Sequence, residues 1–155
     1  MRTNNINRDA ALIGVSSPKQ VTLSVLAALN AGKISRAVDQ FDEHFKFTDH
    51  ALGLEFVDKR RLIEFFHKSR ELFPDAMVEA DATFEYGDHA TVEWKRRSTQ
   101  VLSYGFLQRQ VSIFLRGATI VRVDNGRIRQ WCDYYDQLAS RRTSLAAFFT
   151  EWTEY

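Results

Sequence analysis

Three charged residues stand at strand positions where the surrounding pattern calls for apolar side chains, and they are the chain's most direct means of doing chemistry. Asp133 lies in the run Trp131-Cys132-Asp133-Tyr134-Tyr135. Side chains alternate along a strand, so Trp131, Asp133 and Tyr135 share one face while Gln130, Cys132 and Tyr134 share the other. A carboxyl group set among aromatic rings has its pKa decided by desolvation against nearby charge, which suits a general acid or base. Arg96 is in the same position on another strand: Thr91, Glu93, Lys95 and Arg97 are polar, and Arg96 falls on the opposite phase with Val92 and Trp94. Asp49 follows Phe45 and Phe47 on a third.

Burying an unpaired charge costs on the order of several kcal/mol, so these phases predict one polar cluster of Asp133, Arg96 and Asp49. Its walls would be Phe47, Trp94, Trp131 and Tyr135. Two readings follow. In the first, the cluster is an acid/base site: Asp133 exchanges a proton, Arg96 sets its charge state, polarises a substrate oxygen or anchors the substrate, and Asp49 is a second acid or base. In the second, Asp133 and Arg96 form a buried ion pair that holds the sheet together. The remaining candidates are plainer. His44, His50, His67 and His89 show no HxH or HExxH spacing, and no metal site is expected. Cys132 points away from Asp133 as a packed thiol, and the chain has neither a nucleophile elbow nor a phosphate-binding glycine loop. The expected chemistry is cofactor-free.

The elements that must position these residues can be read in order. Ser17-Pro18-Lys19-Gln20 has the form of a capped helix start, and Val21, Val25, Leu26 and Leu29 recur at helical spacing until Asn30-Ala31-Gly32. Ile34, Ala37, Val38 and Phe41 suggest a second, shorter helix, and from Phe45 the period changes to two, marking a strand. Asp58 caps a third helix whose face is Leu62, Phe65, Phe66, Ser69 and Phe73, ended by Pro74. Strands are expected over Val78 to Tyr86 and Ala90 to Thr99 around the turn Gly87-Asp88, then from Gln108 to Asp124. Asn125-Gly126 supplies a tight type I′ turn, and Ile128 begins the return strand that carries Asp133. Leu145, Phe148, Phe149 and Trp152 trace the stripe of a C-terminal helix over about 139–152. Helices first and a meander of strands last is the α+β pattern of a curved antiparallel sheet with helices on one face.

Composition narrows the partners. With 155 residues the chain fits a single domain over 17–155, preceded by a flexible tail over 1–16. Twelve Phe, five Tyr and three Trp suit a large core, an apolar cavity or both, and a net charge of +1 lacks the basic field of a nucleic-acid binder. The apolar run from Ala10 to Val15 is too short for a membrane span. One cysteine rules out an internal disulfide and is compatible with a cytoplasmic location. A small apolar molecule is the expected ligand. A homodimer is expected through the outer sheet face and the Phe148/Phe149 helix.

Three segments, RELFPD at Arg70 to Asp75, GDHATVEW at Gly87 to Trp94, and RGATIVRVDNGRIRQWCDYYD at Arg116 to Asp136, resemble the SnoaL-like branch of the nuclear-transport-factor-2-like superfamily. The resemblance runs from about Pro18 to Leu138. It implies a cone of helices over a curved sheet, mixed at one edge, around a deep cavity. The branch includes polyketide cyclases and relatives of steroid isomerase and epoxide hydrolase. In cyclase-like members an acid on the last strand moves the proton, and Asp133 looks like its counterpart. Of the limonene-epoxide-hydrolase arrangement only Asp133 is present, because Phe47, Asp49, Trp94 and Arg96 replace its companions; epoxide hydrolysis would need a rearranged site. Steroid-isomerase relatives place their base at a position resembling Asp49 and their neutral donor near Thr119. The resemblance therefore implies cyclisation or isomerisation of an apolar ring-bearing substrate, with lipophilic-ligand binding or a dimerisation scaffold as non-catalytic alternatives.

Overall fold

The structure is a computed structural model and describes residues 16–138; all but Ser16 of the expected tail over 1–16, and the expected C-terminal helix over about 139–152, lie outside the described residues. Helix α1 spans Pro18–Asn30, α2 Ile34–Val38 and α3 Lys59–Leu72; the strands are β1 Phe41–Asp49, β2 Leu54–Phe56, β3 Met77–Tyr86, β4 His89–Tyr104, β5 Leu107–Asp124 and β6 Arg127–Tyr135. The strands form one curved sheet in the order β2-β1-β6-β5-β4-β3. Among the described strands only the β1–β6 pair is parallel.

Local chemistry sets the helix ends. The Ser17 hydroxyl accepts from the Gln20 amide while the Gln20 side chain accepts from the Ser17 amide, a reciprocal cap. Asp58 accepts from the Arg61 amide at 2.9 Å and starts α3. Val21, Val25 and Leu26 of α1 and Leu62 of α3 are buried, so both helices turn their apolar faces to the inner side of the sheet.

Three element boundaries differ from the sequence pattern. Phe41 opens β1 rather than closing α2, because its ring is fully buried against Phe45 and Trp131, which only the strand position allows. The short edge strand β2 pairs its three residues with the end of β1; three residues are too few to show a period. The β4–β5 hairpin runs further than Thr99 and Gln108, turning at Gly105 with φ 59°.

The turn at Asn125-Gly126 has φ 49° and 75°, as a type I′ turn requires. Counting back from it, however, the ladder shifts: Val123 pairs with Ile128, but Arg122 pairs with Gln130. Arg129 is an extra residue on β6, and this bulge changes the strand's phase. Ile128 and Trp131 are therefore both buried, and Trp131 sits opposite Val121 rather than opposite half-exposed Ile120. The Arg129 side chain is tied to Asp42 at 2.9 Å and to the His44 carbonyl at 3.1 Å.

These ties give a test. Arg129→Ala keeps the extra residue and is expected to fold, losing about 1 kcal/mol or less with a half-exposed ion pair. Inserting one alanine after Arg129 shifts the rest of β6 by one position against β5, sets Trp131 opposite Ile120 and is expected to bring it into water. Urea unfolding followed by tryptophan emission separates the two; native-like emission from the insertion variant would contradict the role of the one-residue bulge.

Candidate active site

One row of paired residues crosses four strands on the inner face of the sheet. Asp49 of β1 pairs with Asp133 of β6, Asp133 with Thr119 of β5, and Thr119 with Val92 of β4. The next row brings Phe47 beside Trp131, their rings stacked at 12°. Between this face and the helices lies a pocket of about 500 Å³. Asp133, Asp49, Arg96, Thr119, Phe47, Trp94, Trp131 and Tyr135 all line it, with Phe65, Phe66 and Phe73 closing the helical side.

The two oxygens of Asp133 have different surroundings. Oδ1 accepts from the Thr119 hydroxyl at 2.5 Å and from the Trp131 indole N–H at 2.8 Å. The Thr119 oxygen accepts from the Trp94 indole N–H at 2.8 Å, which leaves its own hydrogen free to donate to Asp133. Oδ2 has no protein partner among the described residues, and no buried side-chain oxygen there lacks one. Oδ2 is thus the accessible oxygen, and it opens into the pocket. Protein packed around the carboxyl desolvates it and pushes its pKa from the ordinary 3.8 up to about 7, against the hydrogen bonds from Thr119 and Trp131, with the charge of Asp49 adding to the rise.

Asp49 is buried, and both of its oxygens are taken. Oδ1 accepts from the Leu52 amide at 2.8 Å, closing the turn after β1, and Oδ2 accepts from the Tyr135 hydroxyl at 3.0 Å. Desolvation, followed by the Asp49 charge, holds the Tyr135 phenol well above its ordinary pKa, so it stays a donor. Asp49 is therefore committed to structure and to orienting Tyr135, while Asp133 keeps one oxygen available.

Arg96 does face the pocket with Trp94, on the strand phase that it shares with buried Val92. The expected ion pair with Asp133 is not formed. Arg96 is level with Leu115 and Val78, two rows from Thr119, and its guanidinium lies over the Phe73 ring at 4.7 Å. Val92 and Arg96 are four residues apart, about 13 Å along a strand, which keeps the cation from closing on Asp133.

Sequence reasoning missed Gly117. A β-carbon there would lie 2.5 Å from the Trp94 ring and 2.6 Å from the Tyr134 carbonyl, so only glycine lets the indole cross β5 and reach Thr119. An isolated glycine inside a long strand was the available signal. Phe73, Ser98 and Gln100 were also missed as pocket residues. Among the described residues no three His, Cys, Asp or Glu side chains come together as a metal site.

The curved α+β sheet, with one carboxyl opening into an aromatic pocket, has the nuclear-transport-factor-2-like fold. The SnoaL-like domain profile matches residues 23–131, and the chain belongs to that family. No curated protein matches it. Among solved structures it is similar to IdmH from Streptomyces antibioticus, provisionally named a polyketide cyclase, at 14% identity and a TM-score of 0.74 over 83% of this chain and 99% of that one. It is similar also to an NTF2-like protein from Burkholderia thailandensis, at 18% identity and a TM-score of 0.70 over 83% and 98%. A protein with a ketosteroid isomerase-like fold from Catenulispora acidiphila gives 17% identity and a TM-score of 0.67 over 83% and 94%. At these identities the likeness is one of fold.

The donor chain from Trp94 through Thr119 to Asp133 can be cut at its middle. Thr119→Val removes a hydrogen bond that lowers the Asp133 pKa, so its titration midpoint is expected to move above about 7. It also leaves the Trp94 N–H without its acceptor, at about 1–3 kcal/mol. Thr119→Ser is expected to restore both. Carboxyl-carbon NMR of Asp133 reads the shift, and an unchanged midpoint in Thr119→Val would refute the coupling.

Proposed function

We propose that this protein is an enzyme that moves a proton on an apolar, ring-bearing small molecule, in a cyclisation or an isomerisation. One observation carries the reading: Asp133 has one oxygen fixed by two donors and the other open to an aromatic pocket, with a pKa near 7. A carboxyl poised there holds or releases a proton at neutral pH, which is the requirement for general acid or base catalysis. Because Oδ1 is saturated with donors, the proton resides on Oδ2, the atom a ligand meets. Phe47, Trp94 and Trp131 shape the apolar wall against which a ring would lie, and Tyr135 is held in place by Asp49. Such a transfer needs no cofactor. The family and its polyketide-cyclase-named relatives support this class of chemistry.

Abstraction and return of a proton beside a carbonyl can be followed without the natural substrate. NMR of 2-tetralone in deuterated buffer is expected to show protein-catalysed exchange at the α carbon, lost by about 100-fold or more in Asp133→Asn. Full exchange in that variant would refute the assignment. The wild-type rate is expected to change around pH 7, rising through it if Asp133 acts as base and falling if as acid; Asp133→Asn lacks that limb.

The same pKa shift has a stability signature. The folded pKa is raised, so the folded state holds a proton that the unfolded chain gives up between about pH 4 and 7. Stability from this group is full below the ordinary pKa and is lost as pH rises through about 7, by roughly a few kcal/mol. Thermal melts across that window are expected to show this fall in the wild type and a smaller one in Asp133→Asn. Equal slopes would contradict a raised pKa.

A further inference from the structure

Arg96 forms no ion pair among the described residues. Of the other basic residues on the pocket wall, Arg70 donates to the Leu29 and Asn30 carbonyls at the end of α1, and Lys68 is exposed. Arg96 is largely withdrawn from water, one guanidinium face lies on Phe73, and its N–H groups meet no acceptor among the described residues. Five donors in a planar fork are thus left unused. The nearby acids do not take them: Asp49 accepts from the Leu52 amide and the Tyr135 hydroxyl, and Asp75 is exposed and accepts from the Thr99 amide at 2.9 Å. Desolvation holds the Arg96 pKa below its ordinary value, which an anion seated on it would reverse.

We propose that the pocket's ligand is an elongated apolar acid whose carboxylate sits on the unpaired N–H edge of Arg96 while its other end meets Asp133. This rests on Asp133 being the reacting end. The backbone positions of the two groups differ by about 13 Å along the strand, with the rings of Trp94 and Tyr135 in the row between them, so the ligand is long and its charge is at one end. A guanidinium fork matches a carboxylate through two parallel hydrogen bonds. A single charge is favoured over a phosphate dianion, because Leu115 and Val78 flank Arg96 on the sheet and the Asp49 and Asp75 charges already act on it. Ser98, the next inward residue on β4, adds a hydroxyl beyond the cation.

Two probes of one shape test this: 2-naphthoate and the neutral 2-naphthamide, titrated by quenching of pocket tryptophan emission at mildly acidic pH. There the carboxylate probe is ionised and Asp133 keeps its proton. Wild type is expected to bind naphthoate at least about 10-fold more tightly than naphthamide, the scale of a charge-assisted hydrogen bond. Arg96→Gln is expected to abolish the preference, Arg96→Lys to keep part of it, and Lys68→Gln to leave it unchanged. Equal binding of the two probes by wild type, which involves no variant that might misfold, would overturn the proposal. So would a preference that survives Arg96→Gln or disappears with Lys68→Gln. Asp133→Asn is expected to retain the preference, so loss of α-carbon exchange and loss of anion selectivity fail independently.

Discussion

A single extra residue decides which way the last strand faces. If β6 ran back from the Asn125-Gly126 turn without the bulge at Arg129, Trp131 would stand opposite Ile120 and Asp133 two residues further along on the same outer side. A one-residue shift moves every side chain of a strand to the other face. The bulge prevents this, and it is held by Arg129 reaching Asp42 and the His44 carbonyl on β1. The pairing of Asp49 with Asp133 and the burial of Trp131 both depend on that phase.

Once Asp133 faces inward, the site is built by unequal use of hydrogen bonds. Two carboxyl groups stand side by side, and each receives two donors, distributed differently over its oxygens. Asp49 receives an amide from its own turn and a phenol from β6, so it is anchored at both oxygens. Asp133 receives both of its donors on one oxygen, and its second oxygen has only the pocket. In the Trp94–Thr119–Asp133 chain the indole N–H donates to Thr119, whose own hydrogen is left to donate to Asp133. Gly117 makes that chain sterically possible. The result is a carboxyl oriented as firmly as a structural one yet open on the side where a ligand would lie.

Much of this was legible in the residues. The alternation of β1, β4 and β6 assigned Asp49, Arg96 and Asp133 to the inner face, and each lines the pocket. The caps of α1 and α3 and the Asn125-Gly126 turn follow from local chemistry, which needs no knowledge of distant neighbours. Phe41 was misplaced in a helix because i, i+3 and i+4 spacings over so short a segment fit either period; its burial among aromatic rings from β1 and β6 is a tertiary fact. The phase of β6 within itself was readable, but the bulge that turns that phase inward relative to the turn was not, since Arg129 looks like any exposed strand residue.

The sequence by itself determined that two acids and an arginine would share an aromatic face, because strand alternation is a property of the backbone alone. Only the tertiary structure decided which of them stay together. Strand order and register brought Asp49 and Asp133 side by side and set Arg96 two rows away, over Phe73, where the expected partner cannot reach it. Distances across a sheet depend on which strands pair and in what register, and no single strand's pattern contains that information.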